Sequence, residues 1–261
     1  MFLFFHEMRR NRLSLIIWTS VLSFMLAVCV LIYPEMKSQM ADMSEMFANM
    51  GDFSEAFGMD ELQVGEFMGY FGVECSEVLG LGGALFAAIL GATILSKEEK
   101  DKTAEFLLTH PINRVKVTLY KLFALIAQII ILNICVLVIT LISVSAVGED
   151  ADIKVMLLLF FSYFMLQSVV GCIAFGLSAF VRRGSIGVGL GIGLLTYFLN
   201  ILANLTESLD FIKYITPFAF ADGGYIVNNC ALEWKYIIPG AVVAVTVLAL
   251  GIKKYDRKDI A

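Results

Sequence analysis

Charge is scarce in this chain, and its scarcity excludes more than its presence suggests. Only 16% of the 261 residues are charged, while 59% are hydrophobic; a soluble domain carries charge on about a quarter of its residues. Histidine occurs twice, at His6 and His110. There is therefore no HExxH sequence and no set of paired intramembrane histidine ligands. No G-x-x-x-x-G-K-[ST] occurs and no large soluble block is present, so this chain does not bind and hydrolyse ATP in the P-loop manner. The five cysteines (Cys29, Cys75, Cys135, Cys172, Cys230) show neither CxxC nor CxxH spacing, which argues against a metal or redox centre. We assign no catalytic residue, no metal ligand and no cofactor to the chain itself. The net charge of −5 points to no nucleic-acid partner, because the charge is segregated along the chain.

The apolar residues sit in six blocks: Leu13 to Tyr33, Val78 to Ser96, Thr118 to Val147, Val155 to Val181, Ser185 to Leu205 and Tyr236 to Ile252. Each approaches or exceeds the roughly 20 residues that cross a bilayer. The first is too long for the core of a signal peptide and lacks a small-residue cleavage site, so it is expected to remain as an anchor. All but four of the 19 Lys and Arg fall in the first, third, fifth and last connecting segments. The exceptions are Lys37, Lys154, Lys213 and Lys235. Cytoplasmic loops carry the basic excess, so both termini are expected inside. The expected fold is an all-α polytopic membrane protein, one transmembrane domain over 1–261. Its subsidiary segments are an N-terminal amphipathic stretch (1–12), an acidic outer loop (34–77), an inner loop (97–117) and a second outer loop (206–235).

The first outer segment holds ten carboxylates against one lysine. Met36, Met40, Met43, Phe47 and Met50 recur there at helical spacing, which predicts an amphipathic helix capping the bundle or lying on the membrane. Gly51, Gly58, Gly65, Gly69 and Gly72 then suggest a turn-rich return. The methionines are ordinary space-filling side chains, with soft-metal binding the alternative. Whether Cys75 and Cys230, both on this side, form a disulfide is left open. Pro217 and Gly223-Gly224 predict a short helix and loop in the second outer segment.

Within the spans, Gly187, Gly189, Gly191 and Gly193 form two interleaved GxxxG patterns, which suit close helix packing and not nucleotide binding, since no strand precedes them. Gly80, Gly82, Gly83 and Gly91 invite the same reading, so the second and fifth spans are expected to pack together or line a dimer interface. Polar residues inside spans are few: Gln128, Asn133, Gln167, Asn200 and Asn204. Helix-to-helix hydrogen bonding is their ordinary role; contact with a substrate's polar part is the alternative, which makes them candidate pathway residues. No span centre carries an acid or a base, which counts against an ion-coupled carrier.

The inner loop reads Ser96-KEEKDKTAEFLLTHPINRVKVTLYK-Lys121 in outline. Thr103, Phe106, Leu107 and His110 share one helical face, and Glu98, Glu99, Lys102 and Glu105 the other; Pro111 ends the helix. A short amphipathic helix between two spans suits docking of a soluble partner, and an ordinary solvated connector is the alternative.

This stretch resembles the first inner loop of ABC-type exporter permeases of the type-2 family, in particular their small six-span bacterial branch. The resemblance rests on Glu98-Glu99, Thr103, Glu105, Leu107-Leu108, Pro111 and Arg114, with Lys121 entering the third span and Asn113 a departure from the usual small residue; Phe106 lies within the matched stretch. It implies a coupling helix that seats in an ATP-binding subunit. The N-terminal Phe4-Phe5-His6-Glu7-Met8-Arg9-Arg10 is similar to the family's amphipathic elbow helix, which puts Phe5, Glu7, Arg9 and Arg10 at the inner leaflet. The family further implies two copies of a P-loop ATPase that uses ATP and Mg, a second permease copy forming a dimeric pathway, and residence in the bacterial plasma membrane. The expected function is the non-catalytic permease subunit of an ATP-driven exporter. A secondary carrier or an intramembrane enzyme without an ATPase partner is the alternative.

Overall fold

The computed structural model describes residues 2–48, 66–95, 114–181, 185–205 and 207–257. Among them there is no strand, and six helices are long and apolar enough to cross a membrane. These are α1 (Phe2–Ala48), α2 (Phe67–Ile94), α3 (Arg114–Val147), α4 (Ile153–Ser178), α5 (Ile186–Leu205) and α7 (Trp234–Asp256). Between α5 and α7 the chain makes two 3₁₀ segments, Glu207–Tyr214 and Pro217–Ala221, and a short helix, α6 (Gly223–Asn229).

Several helices extend beyond the apolar blocks that announced them. In α1, 47 residues span about 70 Å at 1.5 Å per residue, far more than a bilayer core. It absorbs the N-terminal 1–12 segment and, past Pro34, most of the methionine-bearing stretch. Neither forms a separate helix. For the N-terminal segment the reason is a continuous inward stripe: Leu3, Glu7, Asn11 and Leu15 are buried at every fourth position, and Leu22, Leu26, Val30 and Tyr33 continue it. The side chains beyond Lys37 on this helix, with the residues 49–65 that follow, lie outside the description. Among the segments left out are also 96–113 and 182–184.

The second span starts at Phe67, well before the expected Val78. Gly69 and Gly72, read from sequence as part of a turn-rich return, are helical and buried. An aromatic cluster explains the early start. Tyr33 of α1 packs edge-on against Phe67 at 5.2 Å and tilted against Tyr70 at 5.1 Å, and Tyr70 donates a hydrogen bond to the Cys29 carbonyl at 3.2 Å. Midway along α2, Ser76–Gly82 is π-helical, a local widening of the kind that often marks functional positions.

The core is built around α2 and α4, which pack along each other; α1 lies against α3, α5 against α2, and α7 against α4. Small residues permit the closest crossings. A Cβ on Gly251 of α7 would sit 2.6 Å from the Gly176 carbonyl of α4, and one on Gly176 would sit 2.6 Å from the Val247 carbonyl. The outward faces carry large apolar side chains such as Phe24, Phe123, Ile142, Leu195 and Val245. A face of that kind belongs against lipid, where only helices with satisfied backbones are stable.

Candidate functional site

Two polar features stand out in this apolar bundle, one at each end. At the end that bears most of the basic residues, Glu7 of α1 and Lys121 of α3 meet. Glu7 Oε1 lies 3.2 Å from Lys121 Nζ, with side chains 1% and 0% exposed. Lys121 Nζ also donates to the Ile94 carbonyl at 2.6 Å, at the last residue of α2. Both helices that flank residues 96–113 are thereby tied to one buried charge pair. The candidate docking residues Glu98, Glu99, Thr103, Glu105, Phe106, Leu107, Leu108 and Pro111 lie outside the described residues. Arg114 is the first residue of α3, its carbonyl accepting from Thr118 Oγ1 at 2.9 Å. Of the other elbow residues, Phe5 and Arg9 are exposed and Arg10 is half-buried.

At the opposite, acidic end a cavity of about 320 Å³ opens between α2, α5, the 3₁₀ segments, α6 and the start of α7. Glu77 from the π-helical segment lies on its wall and accepts a hydrogen bond from Tyr197 of α5, whose hydroxyl stands 3.2 and 3.4 Å from the two carboxylate oxygens. Tyr197 is held edge-on by Phe218 at 5.4 Å. Tyr197 lies eight positions, about 12 Å of helix rise, before the end of α5 at Leu205. The sequence-based placement of Glu77 in the outer loop, before a span starting at Val78, therefore needs correction. Glu77 lies within the second span because that helix begins eleven residues before the apolar block does.

The rest of the wall is folded back by local bonds. Asp222 caps α6, its Oδ1 accepting from Gly224 N at 2.8 Å and Tyr225 N at 3.2 Å, as short acidic side chains do at helix starts. Gly223 then abuts α2, where a Cβ would lie 3.0 Å from the Gly72 carbonyl. Thr216 Oγ1 bonds the Thr196 carbonyl at 3.0 Å and Ser162 Oγ the Phe220 carbonyl at 3.2 Å, which pins the segment to α5 and α4. Lys235 is bound to Glu233 at 2.8 Å and lies over the Tyr236 ring at 4.6 Å.

The five span amides take three different roles. Asn200 and Asn204 line the cavity. Asn133 and Gln167 are interior: Asn133 Nδ2 donates to Gln167 Oε1 at 2.6 Å and to the Ile129 carbonyl at 2.9 Å, and Gln167 Nε2 donates to the Leu79 carbonyl at 3.0 Å. They join α2, α3 and α4. Gln128 donates within its own helix to Ala124 at 3.1 Å. The glycines of α5 also divide. Gly189 and Gly193 face α2, where Cβ atoms would stand 2.5 Å from Ile89 Cα and 2.8 Å from Leu85 Cδ2; Gly191 has nothing within 4 Å, and Gly187 only its neighbour Ser185 at 3.7 Å. Cys75 and Cys230 are both free thiols.

The profile of the ABC-2 family transporter proteins matches residues 1–260. The chain belongs to this ABC-2 family. It is a multi-pass membrane protein and a permease component of an ABC transporter. No curated protein matches it. Several of this permease's site residues escaped the sequence reading. Glu77 looked like loop, and its only signal was the aromatic run from Phe67 to Phe71 that extends the helix backward. Tyr197, Asp222, Tyr225, Glu233 and Tyr236 carry no motif and meet only in the folded chain.

Proposed function

We propose that this permease is the membrane subunit of an ATP-driven exporter of the cell membrane. It works with a second permease copy and two copies of a separate P-loop ATPase, which binds the ATP and Mg. Its termini face the cytoplasm, so the Glu7–Lys121 end is inner and the cavity outer. The ATPase docks on the 97–117 segment. The observation that carries this reading is the bond from Lys121 to the Ile94 carbonyl, beside its ion pair with Glu7. A displacement of the docking segment would move the ends of α2 and α3 together, and α2 carries the wall of the outer cavity at its other end. Co-purification tests it: the permease should retain a P-loop ATPase, and scrambling residues 99–108 should release it while changes in the outer segments do not. Retained association after scrambling would refute the docking role.

Glu77 is a carboxylate within a span, a position often used for ion coupling. Transport abolished by a protonophore at constant ATP would add an ion-coupled step to the ATP-driven one.

A further inference from the structure

We propose that the outer cavity is a binding site for a primary ammonium group, with Glu77 as its counter-ion. Three carboxylates (Glu77, Asp222, Glu233) and two lysines (Lys213, Lys235) line it, so its formal balance is one negative charge. Glu77 shares in that surplus. Lys235 already pairs with Glu233 at 2.8 Å, and Asp222 serves as the α6 cap. Among the described residues Glu77 pairs with no Lys, Arg or His, and its one hydrogen-bond donor is the uncharged Tyr197 hydroxyl. An ionised carboxylate held below the end of its neighbouring helix is costly unless a cation joins it.

The walls select the kind of cation. The rings of Tyr197, Phe218, Tyr225 and Tyr236 border the space, and aromatic faces attract ammonium ions through their quadrupoles. Asn200 and Asn204, on the same wall, carry amide side chains whose oxygens are hydrogen-bond acceptors. An –NH₃⁺ group carries three donors, enough for the carboxylate and an amide oxygen, which a quaternary ammonium lacks. No cluster of three or more metal-ligating His, Cys, Asp or Glu occurs among the described residues, so the donor set suits an organic amine. About 320 Å³ accommodates an aminoalkyl head and a few carbons, at the small end of ligand cavities. The amine could come from solution or from an aminophospholipid headgroup in the outer leaflet.

Binding is read on the permease alone, so failure here would leave the ATPase docking reading intact. The purified protein in nanodiscs of phosphatidylglycerol is titrated calorimetrically with n-butylammonium chloride and, separately, with n-pentanol. The wild-type protein should bind the amine at least about tenfold more tightly than the alcohol of similar shape. Glu77→Gln, checked for a monodisperse elution and an unchanged melting profile, should remove that preference. If the variant does not fold, the amine-against-alcohol comparison on the wild type still decides. Repeating the titration with phosphatidylethanolamine in the discs separates the sources. Weakened amine binding, with phosphatidylethanolamine retained in native mass spectra, identifies the lipid headgroup; unchanged binding identifies a soluble amine. Equal affinity for amine and alcohol, amine affinity undiminished in a folded Glu77→Gln protein, or no binding of either amine would overturn the proposal.

Discussion

Lys121 Nζ sits 3.2 Å from Glu7 Oε1 across the α1–α3 interface, and neither side chain is more than 1% exposed. These residues are separated by more than a hundred positions, yet each needs the other. A buried charge without a partner costs several kcal/mol. The second Glu7 oxygen accepts no hydrogen bond among the described residues, so the lysine carries the compensation.

Removing one member should therefore harm more than removing both. Lys121→Met or Glu7→Met alone is expected to destabilise by about 3–5 kcal/mol. The Lys121→Met/Glu7→Met double variant should recover most of that loss, apart from about 1–3 kcal/mol for the Ile94 carbonyl left without its donor. Thermal unfolding of the four proteins in one detergent closes the cycle; additive losses would show that the pair is not coupled.

The two GxxxG patterns of α5 should respond oppositely. Gly189→Ala places a Cβ against the α2 backbone near Ile89 and should cost about 1–3 kcal/mol. Gly191→Ala meets nothing, so monomer stability should be unchanged or raised by up to about 1 kcal/mol through helix propensity. Unfolding in detergent, under conditions where the protein is monomeric, compares them.

A third substitution tests the interior amide network. A Cβ on Gly83 would collide with the Gln167 amide, so Gly83→Ala should break the bond from Gln167 to the Leu79 carbonyl. Shortening the obstruction with Gln167→Ala should restore packing in the double variant, leaving only the hydrogen-bond losses, about 0.6 kcal/mol each for bonds of this type. A double variant less stable than Gly83→Ala alone would contradict the placement.

The thiols test topology. Cys230 is half-buried at the end of α6 and Cys75 is fully buried on α2. A membrane-impermeant maleimide applied to intact cells should label Cys230 and leave Cys75 unmodified until the protein is denatured. Mobility without reductant should match that with it, as both thiols are free. Labelling of Cys230 only after the membrane is opened would invert the proposed orientation.

The six-span architecture was legible because bilayer crossing is a local property. Twenty apolar residues such as Ser185 to Leu205 must span or aggregate wherever the rest of the chain lies, and the α5 helix begins within one residue of that block. Boundaries set by tertiary contact were not legible. The start of α2 at Phe67 depends on Tyr33 of another helix, and the N-terminal segment joins α1 because Glu7 finds Lys121. The amides show the same division: Asn133, Gln167, Asn200 and Asn204 are equally polar interruptions in sequence, and only packing sends two inward and two to a cavity wall.

Six stretches long and apolar enough to cross a membrane could be read from neighbouring residues alone, and the inner-loop motif pointed to the family. Hydropathy, charge asymmetry and a short motif act over neighbouring residues and need no partner from elsewhere. Where charge is buried is a matter of the folded arrangement. The compensation of Glu7 by Lys121, and the placing of Glu77 on a cavity wall with the Tyr197 hydroxyl as its hydrogen-bond donor, depend on side chains brought together from distant helices, because the cost of an ion in an apolar bundle is set by what surrounds it.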